Sequence, residues 1–498
     1  MYYIQSRWKL EGRKLCYYGL RSGENMFRNS VPVSKETLIK SNSPRSNPHT
    51  HAAEFDTLRF NQRVPKRQAR IISAMPKELT EDEKKCIGGL LGVQVVCESE
   101  RKRIPQSLSE ATFCKGCCAN DYIIPGLEFD SDGYCPFCQT AEETKNLRSV
   151  LPVIEDIPHS EKSRFDAALF YTGGKDSTFL LYYLSKVKGL RVLALTWEIP
   201  FMSESARASI ENAKKKFDNV EFISHTVNKN DLKRFYTELY SLSENTCACP
   251  SLAYLLFYPT LVENRVPYLL AGNEPAQMLG LYYNHIAPKI AYSFADNKFL
   301  TFLFNAARIL ILHPPLKQGQ FQTLITMEQL AYGDNPLKKI SGYSNELVSN
   351  VVRAIKAVPE LLPPVRRSIR RSSWSGKIPA FVHLDFDRIL GESYDWNKTR
   401  DILIKECGWV PPDDDKKALH TSCQLERCKD CSQFMRFYQC RSRLIPFSAI
   451  EISLASRSCV RSREESMYEM ENLLGFSLEE LPEYSVIREY IDDTGEKS

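Results

Sequence analysis

From about residue 160 onward, short apolar runs alternate with longer stretches in which apolar residues recur every three or four positions. The runs 166–171, 191–197, 220–227 and 267–272 predict strands, and the segments 176–188, 203–217, 231–241 and 251–264 predict helices. The first two strands are almost wholly apolar, which is the pattern of strands buried on both faces. Strands alternating with helices of this length predict an α/β fold, a doubly wound, Rossmann-like parallel sheet with helices on both sides. In such a sheet, ligands lie at the C-terminal ends of the strands. Upstream, residues 76–99 predict a short helix opened by Thr80 with Glu83 three positions on, followed by a strand over 93–96. Residues 29–68, rich in Ser, Asn, Pro and Arg, predict a loosely ordered segment. Residues 281–375 predict a mainly helical region that ends in an Arg-rich stretch, 363–377, read as a solvated face or an anion-binding surface. There is no internal repeat.

Composition narrows this picture. A chain of 498 residues, 43% hydrophobic, buries one or two cores without disulfide staples. The longest apolar stretch, 299–312, is broken by Asn305 and Arg308 and falls short of the roughly 20 residues a membrane span needs. The first residues lack the pattern of a secretory signal, so the expectation is a cytoplasmic protein with no membrane span. A net charge of +5 is too small on this length to imply nucleic acid by itself.

The 16 cysteines are bunched at metal-ligand spacings, which in a reducing compartment points to thiolate ligands rather than disulfides. Cys114, Cys117, Cys135 and Cys138 form two C-x-x-C knuckles at the separation of a zinc ribbon, with Cys118 as a substitute ligand. A second group, Cys423, Cys428, Cys431 and Cys440 with His420 nearby, is less regular and is a second candidate metal site. Cys247 and Cys249 admit three roles: buried spectators, ligands of a metal or iron-sulfur cluster, or sulfur carriers.

Between the first strand and its helix stands Tyr171-Thr172-Gly173-Gly174-Lys175-Asp176-Ser177. Adjacent glycines allow close backbone approach to an anion, and the helix N-terminus offers free amides and the positive end of its dipole. Thr172 and Ser177 add hydroxyls and Lys175 adds charge, so the turn is a phosphate cradle. It is neither a Walker A loop nor a dinucleotide fingerprint. It resembles the S-G-G-x-D-S signature of the N-type ATP pyrophosphatases, the PP-loop or adenine-nucleotide alpha hydrolase superfamily, with Thr172 in place of the usual Ser. The resemblance implies ATP and Mg2+ as cofactors and cleavage of ATP to AMP and pyrophosphate. It implies Asp176, Lys175 and Ser177 as the catalytic group, with Asp176 near the magnesium and pyrophosphate. Adenine is expected on backbone groups at about 195–198, including Thr196.

Further along, Thr246-Cys247-Ala248-Cys249-Pro250, a helix, a strand and the loop Gly272-Asn273-Glu274 look like the second element of PP-loop enzymes that modify tRNA or nucleotide-linked sugars. Asn273, Glu274 and Gln277 are then expected to face ATP and substrate. The knuckles, with Phe129, Asp130 and Gly133 before Cys135, resemble the N-terminal element of the N-acetyl sugar amidotransferases of surface polysaccharide biosynthesis. Residues 403–412, with Gly408-Trp409, and 461–470 resemble later segments of those enzymes. The expected organisation is an accessory, partly disordered region over 1–110, a zinc ribbon over 111–145, a PP-loop domain over 160–380 and a helical, cysteine-containing region over 381–498.

These resemblances imply an amidotransferase that adenylates an oxygen, possibly of a nucleotide-linked sugar, and replaces it with nitrogen from a separate glutaminase subunit. The alternative is a sulfurtransferase acting on tRNA or a small metabolite, with a sulfur donor, an optional iron-sulfur cluster, and nucleic acid as a partner only in that case. A zinc-ribbon nucleotide-binding module without catalysis is the third reading.

Overall fold

The computed structural model describes residues 1–4, 8–17, 62–92, 96–98, 105, 107–124, 127, 129, 132–139, 153–243, 249–278, 298–333, 346–412, 423, 447–472, 487 and 489–493. The chain divides into two compact units, one formed by 1–145 with 434–453 and the other by 146–433 with 454–498.

In the first unit, β1 (Tyr3–Ile4) pairs antiparallel with β5 (Val96–Cys97). Strands β2 (Trp8–Glu11), β3 (Lys14–Tyr17) and β4 (Gln62–Arg63) form a small antiparallel sheet. Helix α1 (Lys66–Ser73) and helix α2 (Glu81–Cys86) follow. The capping box at Thr80 and Glu83 is present in both directions, so two first-turn amides of α2 are satisfied. Tyr2, Ile71, Leu79, Ile87 and Val96 make a small core between these pieces.

The second unit is built on six parallel strands: β6 (Val153–Ile154), β7 (Ala167–Phe170), β8 (Val192–Trp197), β9 (Val220–His225), β10 (Tyr268–Ala271) and β11 (Ala380–Leu384). Their spatial order is β6-β11-β10-β7-β8-β9, with every pairing parallel. The chain winds outward from β7 to β9, then crosses back to place β10 on the other side of β7. This is the doubly wound sheet expected, and it sets a topological switch point between β7 and β10.

Helices cover both faces. α3 (Lys175–Tyr182), α4 (Glu204–Lys216), α5 (Lys229–Ser243) and α6 (Cys249–Glu263) alternate with the strands. On one face, Tyr254 of α6 stands edge-on to Phe170 and Phe381 at ring distances of 5.0 and 5.6 Å. On the other, Tyr171 meets Phe222 at 5.9 Å. The mainly helical region contributes α7 (Lys298–Leu310), α8 (Gln320–Tyr332), α9 (Glu346–Ile355) and α10 (Leu362–Ser375), so the Arg-rich stretch is a helix. After β11 come α11 (Phe386–Leu390), α12 (Trp396–Cys407), α13 (Phe447–Arg457), of which the residues up to 453 belong to the first unit, and α14 (Arg463–Asn472).

The helix expected over 176–188 is α-helical only to Tyr182 and widens into a π-type turn over Tyr183–Val187. The strand expected over 220–227 ends at His225. Of the strand expected over 93–96, only Val96 is described.

Candidate active site at the sheet edge

Asp166 anchors the start of β7. Its fully buried carboxylate accepts from Ser160 N at 2.6 Å, from Arg191 N at 2.8 Å and from the Arg191 guanidinium at 2.6 Å. Burial alone would raise its pKa, but these donors, Arg191 foremost, hold it well below the ordinary carboxylate range. The strand is thereby fixed at its base, and the loop that leaves its top is positioned at the switch point.

That loop is tightly braced. Gly173 has φ +71°, and a Cβ there would lie 2.3 Å from Ala206 O, so the turn passes against the first turn of α4 in a conformation and at a distance only glycine permits. Thr172 Oγ1 and Ser177 Oγ are 3.2 Å apart, and Gly174 N donates to Thr172 Oγ1 at 3.4 Å. The first-turn amides of α3 have no acceptor within their own helix and point out of its N-terminus at the sheet edge. The paired hydroxyls flank them, and this arrangement can hold an anionic group such as a phosphate.

Across the switch point, the end of β10 presses on the same helix. A Cβ on Gly272 would stand 2.5 Å from Ser177 N and 2.6 Å from Ser177 Cα. The loop beyond it carries Asn273, whose Oδ1 is buried and has no hydrogen-bond partner among the described residues. Glu274 is fully buried and accepts from Ala276 N and Gln277 N, both at 2.9 Å. Its carboxylate therefore caps the following turn. Thr196 is buried on β8 and donates its hydroxyl to Tyr171 O at 2.8 Å, so its side chain braces the loop from below. Glu198 N–H, at the edge where the adenine was expected, donates to His225 O at 2.9 Å.

Lys175 and Asp176 form an ion pair with side chains only 6% and 10% exposed. Both are joined to a third residue that no motif announced. Lys175 Nζ donates to Tyr394 OH at 2.7 Å, and Tyr394 OH donates to Asp176 Oδ1 at 2.7 Å. The ammonium also lies 4.9 Å from the centre of the Tyr394 ring and 5.1 Å from that of Trp396, inside an aromatic box that suits a cation. Burial, and then the Asp176 carboxylate, raise the Tyr394 pKa well above its ordinary value, so the phenol stays a neutral donor. Arg461, paired with Glu469, lies 5.6 Å from the Trp396 ring.

Trp409 closes the loop from a second direction. Its Nε1 donates to Gly173 O at 3.0 Å, while Val410 N donates to Ser209 Oγ at 2.9 Å and Asn212 Nδ2 to Gly408 O at 2.8 Å. The Gly-Trp segment is thus pinned to α4 and to the glycine turn together. Its presence was noted in the sequence, but its contact with residue 173 was not.

In the first unit, the Sγ atoms of Cys114, Cys117, Cys135 and Cys138 all lie within 4.8 Å of one another. Cys114 and Cys138 are 3.7 Å apart, and Cys117 and Cys135 are 3.6 Å apart. A tetrahedron with metal-sulfur bonds of about 2.3 Å has edges of roughly 3.8 Å, so the spacing suits one ion; a multi-iron cluster would hold its thiolates farther apart. Gly116 N and Cys135 N donate to Cys114 Sγ at 3.3 and 3.2 Å, and Ala119 N to Cys117 Sγ at 3.4 Å, as thiolate ligands require. Cys118 stands outside the four, with its Sγ 3.9 Å from Ser453 Oγ. Phe129 and Gly133 are described; Asp130 lies outside the described residues.

Of the remaining cysteines, Cys249 begins α6, and Cys423 forms a backbone bridge with Met202, in the loop after β8. Cys247, Cys428, Cys431, Cys440 and His420 lie outside the described residues.

No protein-family description matches the chain, and no curated protein matches it. Among solved structures, the chain is similar to the U34-tRNA thiolase NcsA from Methanococcus maripaludis with its [4Fe-4S] cluster, at 14% identity and a TM-score of 0.20 over 53% of this chain and 86% of that one. A likeness of that strength says nothing of activity; the six parallel strands and the glycine turn between β7 and α3 stand on their own geometry.

Proposed function

We propose that the sheet edge binds ATP and cleaves it between its α and β phosphates, transferring the adenylyl group to an oxygen of a second substrate and so activating it for replacement. The reading is carried by one observation: an anion cradle made by Thr172, Gly173, Gly174 and Ser177 at a helix N-terminus, seated at the switch point and closed by Gly272 and Trp409. In the first half-reaction the substrate oxygen bonds to the α phosphorus and pyrophosphate leaves with the bridging electron pair. In the second, a nucleophile bonds to the activated carbon and AMP departs with the oxygen. First-turn amides of α3 and the two hydroxyls stabilise the charge that grows on pyrophosphate.

Magnesium fits the residues present. Asp176 keeps Oδ2 outside the hydrogen bonds described, one carboxylate oxygen of the kind Mg2+ takes alongside phosphate oxygens and water, and the ion would neutralise phosphate charge. Zinc suits Cys114, Cys117, Cys135 and Cys138, where it would hold the two knuckles together.

The nucleophile we favour is ammonia, with a nucleotide-linked sugar as acceptor and a separate glutaminase as source. Support comes from the resemblance to sugar amidotransferases, whose Gly-Trp and Arg461–Glu469 segments here meet the phosphate loop and the aromatic box. A sulfur nucleophile is the second reading. It is favoured by Cys249, which opens the helix running back against the strands, and by Cys423 beside Met202, since both lie at the C-terminal edge of the sheet.

The test is to supply ATP, Mg2+ and ammonium with a panel of nucleotide-linked sugars and to measure AMP and pyrophosphate. Substrate-dependent release of both is expected. ADP and phosphate would overturn cleavage between the α and β phosphates, and nucleotide binding without turnover on any acceptor would favour a binding module. Turnover that requires sulfide or a persulfide donor and is lost in Cys249→Ser would select the sulfur reading.

A further inference from the structure

Helix α7 turns Arg308 and Asn305 inward beside Phe304, which packs 4.6 Å from Phe321, and leaves other apolar residues outward. Arg308 is buried and donates to Pro314 O and to Ser373 O, both at 2.8 Å, and Asn305 exchanges hydrogen bonds with the Leu316 backbone at 3.0 and 2.8 Å. Phe302 and Leu303 face outward instead, and at the helix end Ile309, Leu310, Ile311 and Leu312 are 56, 84, 64 and 83% exposed. Ile309 and Leu310 end the helix and Ile311 and Leu312 follow in the turn, so four consecutive exposed aliphatics form an apolar tip.

Next to this tip stands the C-terminal half of α10. His313 lies 6.0 Å from the ring of Trp374, which is 70% exposed. Arg367, Arg371 and Trp374 share one outward stripe at spacings of four and three, and Arg370 and Lys377 are exposed beside it. The corner therefore joins an apolar projection to a cationic shelf with an indole at the boundary.

We propose that this corner docks on the surface of an anionic phospholipid bilayer, with the aliphatic tip entering the headgroup and acyl boundary and the arginines on lipid phosphates. An exposed apolar patch of this kind marks an interaction site. Entry into the acyl boundary would take all four aliphatic side chains out of water together. Nucleic acid would engage the arginines but leave four aliphatic side chains in water. Arginine forks suit phosphate oxygens, and an indole between an apolar and a wet layer is the side chain suited to a membrane interface. No helix among the described residues is long and apolar enough to cross a membrane, so the attachment is peripheral. The inference is independent of the ATP reading.

The experiment is flotation of the full chain with vesicles of phosphatidylcholine alone or with phosphatidylglycerol. Partition onto the anionic vesicles is expected, weakened by salt. The pair Leu310→Asp and Leu312→Asp should lower it by about tenfold or more, since two aliphatic anchors are lost. Arg367→Gln, Arg370→Gln and Arg371→Gln together should remove the preference for anionic lipid. These side chains are exposed, so melting temperatures should stay at the wild-type value; as a check without disruptive variants, anionic vesicles should blue-shift the fluorescence of the wild type but less that of Trp374→Phe. Absence of wild-type flotation at low salt, or aspartate variants that float like the wild type, would overturn the proposal. So would self-association without vesicles that the aspartate variants abolish, which would make the corner a protein interface, or RNA binding through the arginines without vesicle binding.

Discussion

Asp176 accepts at Oδ1 from both Lys175 and Tyr394, and that sharing decides what replacing it would do. Asp176→Asn leaves the Lys175 ammonium buried without its counter-ion, so stability should fall by roughly 3 kcal/mol in chemical denaturation, beside a loss of pyrophosphate release of about a hundredfold or more. Combining it with Lys175→Met should restore part of the stability and none of the turnover. If the single variant turns over normally, Asp176 is not in the reacting site. Tyr394→Phe keeps the ring packed on Phe179 and Phe386 and removes only the hydroxyl, so it should cost about 1 kcal/mol of stability. Its effect on turnover should appear in kcat rather than in the KM for ATP, because the hydroxyl touches Asp176 and Lys175 but none of Thr172, Gly173, Gly174 and Ser177. The glycines, Thr172 and Ser177 were legible in the sequence because a backbone anion site demands those residue types at fixed spacing. Tyr394 was not: a lone aromatic in 391–395 has no spacing to betray that it sits on a buried pair more than two hundred positions earlier.

The approach of β10 to α3 makes Gly272 a sensitive position at the level of elements. Gly272→Ala sets a methyl against the Ser177 backbone, which cannot yield as a flexible side chain would. A stability loss of about 1–3 kcal/mol and weakened ATP binding by calorimetry are the expected results. On β11, His383 is fully buried, and burial lowers its pKa to about 4. The folded state thus binds fewer protons than the unfolded one between about pH 6.5 and 4, so stability should decline as pH falls through that window, by about 3 kcal/mol in total. Asp166, held low by Arg191, adds its own loss only further down, below the ordinary carboxylate pKa. Unfolding midpoints measured from pH 7 to 4 should flatten in His383→Leu; an unchanged slope would place the titration elsewhere. Strands β7, β8, β9 and β10 were legible because each is a short run rich in apolar residues bounded by helical spacing. β6 has two residues, and β11 carries His383 just after an Arg-rich helix, so neither showed the pattern.

Across the whole molecule, the four-cysteine group and the glycine turn belong to separate compact units. A chelator, or Cys135→Ser, should release about one zinc per chain and destabilise the first unit, because ligand binding and local folding are coupled. Calorimetry after metal removal should show one transition lowered while another keeps its response to ATP; zinc retained in full by Cys135→Ser would remove that ligand from the set. The alternation of strands and helices made the fold class legible, but the order of the strands was not, because β11 is contributed from beyond α7, α8, α9 and α10, the α-helices described between it and β10. The hydrogen bond from Trp409 to Gly173 has a consequence for biosynthesis. Chains emerge N-terminus first and fold as they appear, so the glycine turn leaves the ribosome long before the indole that clamps it. Nascent chains stalled short of residue 380 should therefore be unable to retain ATP, and the grip on nucleotide should arrive late and all at once, when the stretch from Tyr394 to Trp409 swings home.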